Sequence, residues 1–375
     1  MPAATVPHGR KIVGSTWVWA LKRNSLGEIT RWKSRLVAQG FSQIEGLDYY
    51  ATFANTVSFD AIRLVLSYAA EYDFHLHTVD VRTAYLNSPL EEELDIWMKQ
   101  PKGFEQDGPN GEPMVCKLVK AIYGLKQGAR RWIATLRQGL IEMGFTCSEF
   151  DAGVFYLSEG DDKLIMLTYV DDLIIADNSP RLREKVMNKV HAKWETTDVG
   201  ELEWCLGIKV ERNREKRLAT MSQELYIRDT NTKYKDHPLR AGNRTDSPCG
   251  EAIRSLKKAP PDSAETPKVI DQYRSLIGAL LWIANISRPD VAYAVSTLSR
   301  FTACPENISP RLYMSPVHAH KTVVIQRGSQ IGRRRLAQGL LRYGSAGRPR
   351  RTSIAQGGHV IIYVSPHNQT KHHFL

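Results

Sequence analysis

Few features of secreted, zinc-binding or membrane proteins occur in this sequence of 375 residues. Its five cysteines are scattered and never form a Cys-x-x-Cys pair, which excludes a disulfide framework and a thiolate zinc site. The longest apolar stretches, such as Leu276–Ile286, are too short to cross a bilayer, and the first residues lack the apolar core of a secretory signal. We therefore expect an intracellular protein, cytoplasmic or nuclear, that is not secreted and has no membrane partner.

Acidic residues are absent after Glu306, where eleven lysines and arginines remain. Removing these eleven from the 51 basic residues leaves 40, which balances the 40 acidic residues of the preceding chain. The net charge of +11 therefore belongs to the C-terminal stretch and says little about the partners of the rest. Apolar periodicity also fades there, so we expect residues 306–375 to form a poorly ordered basic tail.

Alternating and helical apolar patterns together predict an α+β fold. Residues 11–37 alternate around Gly27, which indicates a β-hairpin. Its second strand places Arg31, Lys33 and Arg35 on one face. The patterns predict further strands at 75–81, 96–98, 154–157, 164–169, 173–176, 202–210 and 218–221, helices at 62–70, 129–143, from 180 onward, 272–286 and 291–301, and a polar, proline-containing linker at 241–268.

Two adjacent carboxylates lie between two apolar strands. The segment Tyr169-Val170-Asp171-Asp172 separates the apolar runs Leu164–Leu167 and Leu173–Ala176, which predicts a hairpin with negative charge concentrated at its tip. Such a like-charged pair is costly unless a cation lies beside it, and oxygen ligands suit Mg²⁺. Taken alone, the pair is better explained as a solvated turn.

A third carboxylate, Asp80, lies near the end of the predicted strand 75–81 and precedes Asp171 by 91 residues. Two metal ions roughly 3.5–4 Å apart can activate an attacking hydroxyl and stabilise a leaving pyrophosphate, and holding them requires convergent carboxylates. Taken alone, Asp80 is better explained as the cap of a helix that begins at Thr83. Nucleotidyl transfer therefore requires that Asp80 meet the hairpin tip.

Several segments follow the order and spacing of one enzyme family. The segments around the three acids are Asp80–Asn87, Tyr123–Gln127 and Tyr169–Asp172. Further segments are Trp17-Val18, Lys33–Phe41, Thr52–Ala54, Gln100–Phe104, Leu206–Ile208 and Tyr273–Gly278. Through these segments the chain resembles, over about residues 10–305, the reverse transcriptase of copia-type retrotransposons, the polymerase domain of the Pol polyprotein.

This resemblance implies a right-hand polymerase with fingers, an antiparallel palm sheet with helices behind it, and a thumb. It places a leader at residues 1–10, fingers and palm at 11–215, and the thumb with the start of the connection at 216–305, including the linker 241–268. The family continues into an RNase H domain with carboxylates of its own, which residues 306–375 lack. We therefore expect this tail to be out of the family frame, through a reading-frame change or a mispredicted exon. A basic RNA-binding arm is the alternative.

The resemblance also implies a set of metal-binding and catalytic residues. Asp80, Asp171 and Asp172 would bind two Mg²⁺ ions, for which Mn²⁺ can substitute, with the Val81 carbonyl as a further ligand. Tyr85 lies where the family places an aromatic ring against the sugar of the incoming nucleotide, a position from which it would exclude a 2′-hydroxyl. A core aromatic is the alternative explanation of Tyr85.

Contacts with the nucleotide and the primer are implied in the same way. Lys33 and Arg35 match the fingers positions that bind the triphosphate, whose oxygens favour Lys and Arg donors, although a solvated strand face explains them equally well. Gln127 matches the position beside the nucleotide sugar and the template, or it is an ordinary polar residue at a helix start. Leu206 and Gly207 resemble the primer grip, where the backbone approaches the DNA, and a plain turn is the alternative.

The favoured hypothesis is an RNA-directed DNA polymerase that extends a DNA primer with deoxynucleoside triphosphates on an RNA or DNA template. The competing hypothesis is a truncated retroelement relic that folds and binds nucleic acid without catalysis. A metal-dependent palm enzyme of another kind, such as a cyclase, is a weaker alternative, because a cyclase needs no primer grip. The oligomeric state is not predicted.

Overall fold

The computed structural model describes residues 1–23, 28–91, 93–234, 267–303, 322–327 and 360–365. The predicted linker 241–268 lies outside the described residues except for its last two, and so does most of the tail 306–375. Two compact units are present. The first contains residues Met1–Ile62 and His75–Glu201, and the second contains Arg63–Phe74 and the described chain from Leu202 onward.

An antiparallel sheet of six strands is the largest element of the first unit, with the strand order β11-β4-β10-β9-β8-β7. Its strands are β4 His75–Val81, β7 Thr146–Cys147, β8 Val154–Glu159, β9 Asp162–Tyr169, β10 Asp172–Asp177 and β11 Thr196–Glu201. The predicted strands at 75–81, 154–157, 164–169 and 173–176 are confirmed. Strand β11 was not predicted, because its sequence TTDVGE is mostly polar and no residue of the strand is buried. It lies at the edge of the sheet, where one side of a strand needs no apolar partner.

Two helices, α2 Gly128–Glu142 and α3 Pro180–Lys193, pack on this sheet and confirm the predicted helices. Helix α3 begins as expected, because the Ser179 hydroxyl accepts a hydrogen bond from the Leu182 amide and Pro180 occupies the first turn. The apolar cluster between the helices and the sheet includes Val79, Val81, Trp132, Leu136, Leu140, Phe155, Leu164, Met166, Leu173, Ile175, Leu182, Val186, Val190 and Trp194. The antiparallel sheet with packed helices confirms the predicted α+β class.

The predicted hairpin near the N-terminus is confirmed by β2 Ser15–Arg23 and β3 Ile29–Ala38, which pair in antiparallel register. A small three-stranded sheet consists of β1 Ile12–Val13, β5 Trp97–Lys99 and β6 Val115–Lys117. Single 3₁₀ turns in this unit span Ala3–Thr5, Gly40–Ser42 and Ala84–Asn87.

The second unit contains most of α1 Phe59–Tyr72 and a five-stranded sheet. Its strands are β12 Trp204–Cys205, β13 Ile208–Asn213, β14 Leu218–Ser222, β15 Thr322–Arg327 and β16 Val360–Ser365. Its other helices are α4 Glu224–Lys233, α5 Pro267–Ile286 and α6 Ala292–Ser299, with a 3₁₀ turn at Pro289–Val291. Among the described residues, no helix has the length and apolarity needed to cross a membrane.

Two predicted boundaries in the second unit differ from the structure. The strand expected at 202–210 is interrupted by Leu206 and Gly207, which both have positive φ. Helix α5 begins inside the predicted linker, at Pro267, a residue that suits the first turn of a helix. Within the tail 306–375 the structure describes two strands, β15 and β16, which pair with this sheet, and the expected poor order of the rest of the tail lies outside the described residues. Their sequences TVVIQR and VIIYVS are rich in β-branched residues, which favours strands.

Candidate active site

The hairpin tip between β9 and β10 is a strained two-residue turn. Tyr169 pairs with Asp172, which leaves Val170 and Asp171 as the connecting residues. Val170 has φ of 54°, a left-handed conformation that is unfavourable for a β-branched residue. Such conformations persist where the surrounding structure holds them, and they are concentrated at functional sites.

Two hydrogen bonds hold this turn in place. The Trp132 indole Nε1 donates to the Val170 carbonyl at 2.5 Å, and the Val81 amide donates to the Asp171 carbonyl at 2.8 Å. Trp132 is fully buried in the apolar cluster and packs edge-on against Trp194, with ring centroids 5.8 Å apart. The turn is therefore attached both to α2 behind the sheet and to the end of β4.

Asp80 lies directly opposite Asp172 in the antiparallel pairing of β4 and β10. Residues opposite each other in such a pair project from the same face of the sheet. Burial raises the pKa of Asp80, and the charge of Asp171 adds to this. Burial, followed by the charges of Asp171 and Asp80, raises the pKa of Asp172 to about 6. The structure thus brings the three sequence-predicted carboxylates into one electrostatic environment.

The chemistry of these donors fits a hard divalent cation, since Mg²⁺ and Mn²⁺ favour carboxylate and carbonyl oxygens. In the part of the chain that the structure describes, no group of three His, Cys, Asp or Glu side chains is already arranged to coordinate a metal ion. Burial and, after it, repulsion between like charges raise the pKa values of Asp80 and Asp172, and a cation would offset that repulsion. The metal-binding role of Asp80, Asp171 and Asp172 therefore stays a prediction.

The cationic face of β3 acts on one of these carboxylates, Asp80. Lys33 and Arg31 both oppose the rise in the pKa of Asp80 that burial and Asp171 cause. The guanidinium carbon of Arg35 lies 5.5 Å from the centre of the Tyr123 ring. Cations on this strand therefore lie near the acids, where a bound polyphosphate would also need them.

Tyr85 lies on the 3₁₀ turn that follows β4 and is half-buried. Its ring centroid is 4.4 Å from that of Tyr123, with the two planes at 60°. Burial, and then the charge of Asp171, raises the pKa of Tyr85. Tyr123 was missed as a functional residue, although it begins the matching segment Tyr123–Gln127.

Gln127 is placed differently from the predicted nucleotide-contacting residue. It is only 2% exposed and precedes α2. Gln43 Nε2 donates to Gln127 Oε1 at 3.1 Å, and Gln127 Nε2 donates to the Asp48 carbonyl at 2.9 Å. In this conformation both ends of the amide bind groups inside the protein. A direct contact with a nucleotide stays a prediction.

Leu206 and Gly207 form the turn between β12 and β13 in the second unit, with φ of 52° and 78°. A Cβ added at Gly207 would meet no atom within 4 Å, so the backbone there is open on one side. This is the surface that a backbone contact with a primer would require, and the primer-grip assignment stays a prediction.

Comparison with known proteins adds a family to this geometry. A family model described as reverse transcriptase (RNA-dependent DNA polymerase) matches residues 3–236. The chain is 36% identical over 298 residues to the retrovirus-related Pol polyprotein from transposon RE1 of Arabidopsis thaliana, covering 78% of this chain and 19% of that protein. It is 32% identical over 303 residues to the Pol polyprotein from transposon TNT 1-94 of Nicotiana tabacum, covering 80% and 22%.

A third relative is the Pol polyprotein from transposon RE2 of Arabidopsis thaliana, 34% identical over 300 residues that cover 80% of this chain and 20% of that protein. The chain thus spans about a fifth of the length of these three relatives. The match 3–236 includes all the residues singled out above, from Lys33 to Gly207.

Proposed function

Because this chain belongs to the reverse transcriptase (RNA-dependent DNA polymerase) family of copia-type retrotransposon Pol polyproteins, we propose that it catalyses template-directed DNA synthesis itself. It would extend the 3′-hydroxyl of a DNA primer with deoxynucleoside triphosphates on an RNA template. The observation that carries this proposal is the position of Asp80 opposite Asp172. Both lie beside the turn that contains Asp171 and that Trp132 holds through a hydrogen bond. In the right-hand arrangement of the family, the six-stranded sheet would be the palm and the β2–β3 hairpin part of the fingers.

Asp80, Asp171 and Asp172 would hold two Mg²⁺ ions, with the Val81 carbonyl as a further ligand. When bound, such ions lower the pKa of the attacking hydroxyl and neutralise the leaving pyrophosphate. The raised pKa values of Asp80 and Asp172 support this role, because a site with excess negative charge gains most from a cation.

The remaining residues would bind and orient the substrates. Lys33 and Arg35 would bind the triphosphate oxygens from the cationic face of β3, and Tyr85 would pack against the deoxyribose. Leu206 and Gly207 would contact the primer strand through their backbone. Gln127 would act from inside the protein, by holding the segment that precedes α2 through Gln43 and Asp48.

The test is primer extension of oligo(dT) on poly(rA) with Mg²⁺, comparing the chain with its Asp171→Asn variant. This substitution preserves shape and removes one charge, so synthesis should fall by at least about 100-fold, the upper range seen when even outer-shell partners of a metal are lost. The matched control is Asp161→Asn, at the exposed tip of the neighbouring β8–β9 hairpin, which should keep the parent rate.

Two outcomes would count against the proposal. Template binding without any synthesis by the parent chain would support the inactive relic instead. Equal synthesis by the Asp171→Asn variant and the parent chain would show that Asp171 is not a metal ligand.

A further inference from the structure

Tyr123 contacts two residues of the proposed site but has no role from the sequence pattern. Its ring lies 4.4 Å from the ring of Tyr85, centroid to centroid, and Arg35 lies over its face at 5.5 Å. Burial raises the pKa of Tyr123, with the charge of Asp171 as the next contribution, so the hydroxyl stays neutral. Tyr123 therefore lies between the predicted sugar contact, the predicted triphosphate contact and the acids.

The backbone of Tyr123 is fixed against β3. Its carbonyl accepts a hydrogen bond from the Ala38 amide at 2.8 Å. The next residue, Gly124, has φ of 91°, and a Cβ there would lie 2.0 Å from the Ala38 carbonyl oxygen. Only glycine permits this approach, which holds the backbone of Tyr123 against the strand that carries Arg35.

Tyr85 is held less firmly by its own backbone. It lies on the single 3₁₀ turn Ala84–Asn87, which follows Thr83 with φ of 49°. A 3₁₀ turn has poorer hydrogen-bond geometry than an α-helix and is used only in short pieces. The orientation of the Tyr85 ring therefore depends on the side chains packed against it, which are those of two buried apolar clusters and, in direct ring contact, Tyr123.

We propose that Tyr123 is a specificity-determining positioning residue that holds the Tyr85 ring in place and thereby sets the preference for deoxyribo- over ribonucleoside triphosphates. The inference rests on the proposed function and on the steric role of Tyr85. Removing the Tyr123 ring frees Tyr85 to turn aside and admits a 2′-hydroxyl.

The ratio of kcat/KM for a deoxyribonucleotide to kcat/KM for the matching ribonucleotide isolates the effect of Tyr123 on the position of Tyr85. Arg35 would bind the triphosphate of both nucleotide types, so any weakening of that contact affects both and cancels in the ratio. The 2′-hydroxyl is the one difference between the two substrates. A change in folding or in the amount of active protein also cancels, which separates positioning of Tyr85 from a general structural role.

The experiment measures kcat/KM for dATP and for ATP on one primer–template, oligo(dA) on poly(rU), whose template base pairs with both nucleotides. Tyr123→Ala should lower the dATP/ATP ratio by about 2- to 10-fold, the range expected for one aromatic pair. Tyr123→Phe keeps the ring and should keep the ratio. The control is Tyr156→Ala, on β8, where the side chain is 38% exposed and the ratio should not change.

An unchanged ratio in Tyr123→Ala, with a lowered ratio in Tyr85→Ala, would overturn the inference. An unchanged ratio in both variants would overturn it too, while parent synthesis would leave the polymerase proposal standing. If the parent chain makes no DNA, the proposed function fails, and the same ratio is measured as equilibrium affinity for the two nucleotides on primer–template with Ca²⁺. If Tyr123→Ala unfolds, Tyr123→Leu removes the ring at closer to its volume and carries the same expectation.

Discussion

Two hairpin tips of the same sheet use acidic residues in opposite ways. At the β8–β9 tip, hydrogen bonds from Lys185 to Glu159 and from Arg181 to Asp162 lower the pKa of each acid. At the β9–β10 tip, burial and the charges of Asp171 and Asp80 raise the pKa of Asp172 to about 6. The first tip thus has its charge neutralised within the protein, and the second does not.

The backbones of the two tips differ in the same sense. Gly160 has φ of 63° at the first tip, a conformation that glycine adopts without strain. Val170 has φ of 54° at the second tip and is held by Trp132. Strain and uncompensated charge therefore occur together at one tip and are both absent from the other, as expected when only one of them has a function beyond turning the chain.

The largest effect is expected from replacing Trp132, whose indole holds the second tip through the Val170 carbonyl. Trp132→Ala should lower the free energy of unfolding by about 3–5 kcal/mol, since it empties a fully buried site. Trp132→Phe keeps most of the volume and leaves the Val170 carbonyl without its donor, so about 1–3 kcal/mol should be lost. Urea unfolding measures both. Trp19→Ala, at a side chain that is 72% exposed, should change the free energy of unfolding little. An equal loss in that variant would contradict a specific stabilising role of Trp132.

The pH dependence of stability sharpens the comparison. In the metal-free protein the pKa of Asp172, about 6, exceeds the unfolded value near 3.9, so the folded state keeps a proton that the unfolded state has released. The free energy of unfolding should therefore fall as pH rises from about 4 to about 6, by at most about 3 kcal/mol.

Opposite behaviour is expected at the first tip, where the pKa values of Glu159 and Asp162 are lowered. Stability from those acids is present above about pH 4 and is lost below it. Urea midpoints across pH 3.5–7 measure both signs. Asp172→Asn should flatten the upper part of the profile, and an unchanged profile in that variant would show that Asp172 does not titrate there.

The smallest effect is expected from a substitution that introduces the backbone strain of the second tip into the first. Gly160→Val places a β-branched residue at positive φ with no atom within 4 Å of its Cβ, so backbone strain alone should cost about 1–3 kcal/mol. Gly278→Ala, in α5 with similar open space, should instead stabilise by up to about 1 kcal/mol. Thermal unfolding compares the two. Equal stability of Gly160→Val and the parent would mean that a positive φ imposes no strain on valine in this sheet.

Sequence patterns predicted the core of the sheet because β4 alternates apolar and polar residues, while β9 and β10 contain continuous apolar runs. They also predicted the start of α3, where Ser179 and Pro180 are local signals. The polar edge strand β11 has neither signal, and the tail strands were hidden by their basic, glycine-rich surroundings. Local patterns contain no distances between remote segments, so they could not show the hydrogen bond from Trp132 to the Val170 carbonyl.

Of the candidate site, the three acids could be found from their apolar surroundings and the family spacing. The role of Gln127 depends on its partners Gln43 and Asp48, which lie about 80 residues away in the chain. The contacts of Tyr123 are equally remote from any local pattern, since Arg35 and Tyr85 lie on other elements.

The pairing of Asp80 with Asp172 also bears on how faithfully the chain folds. Neighbouring positions on β4 face opposite sides, and Val79 and Val81 belong to the apolar cluster. A slip of one residue would turn the carboxylate of Asp80 into that cluster and expose both valines to water. Molecules with this pairing error would therefore be unstable as well as lacking the proposed site, so errors in register and errors in the site are removed together.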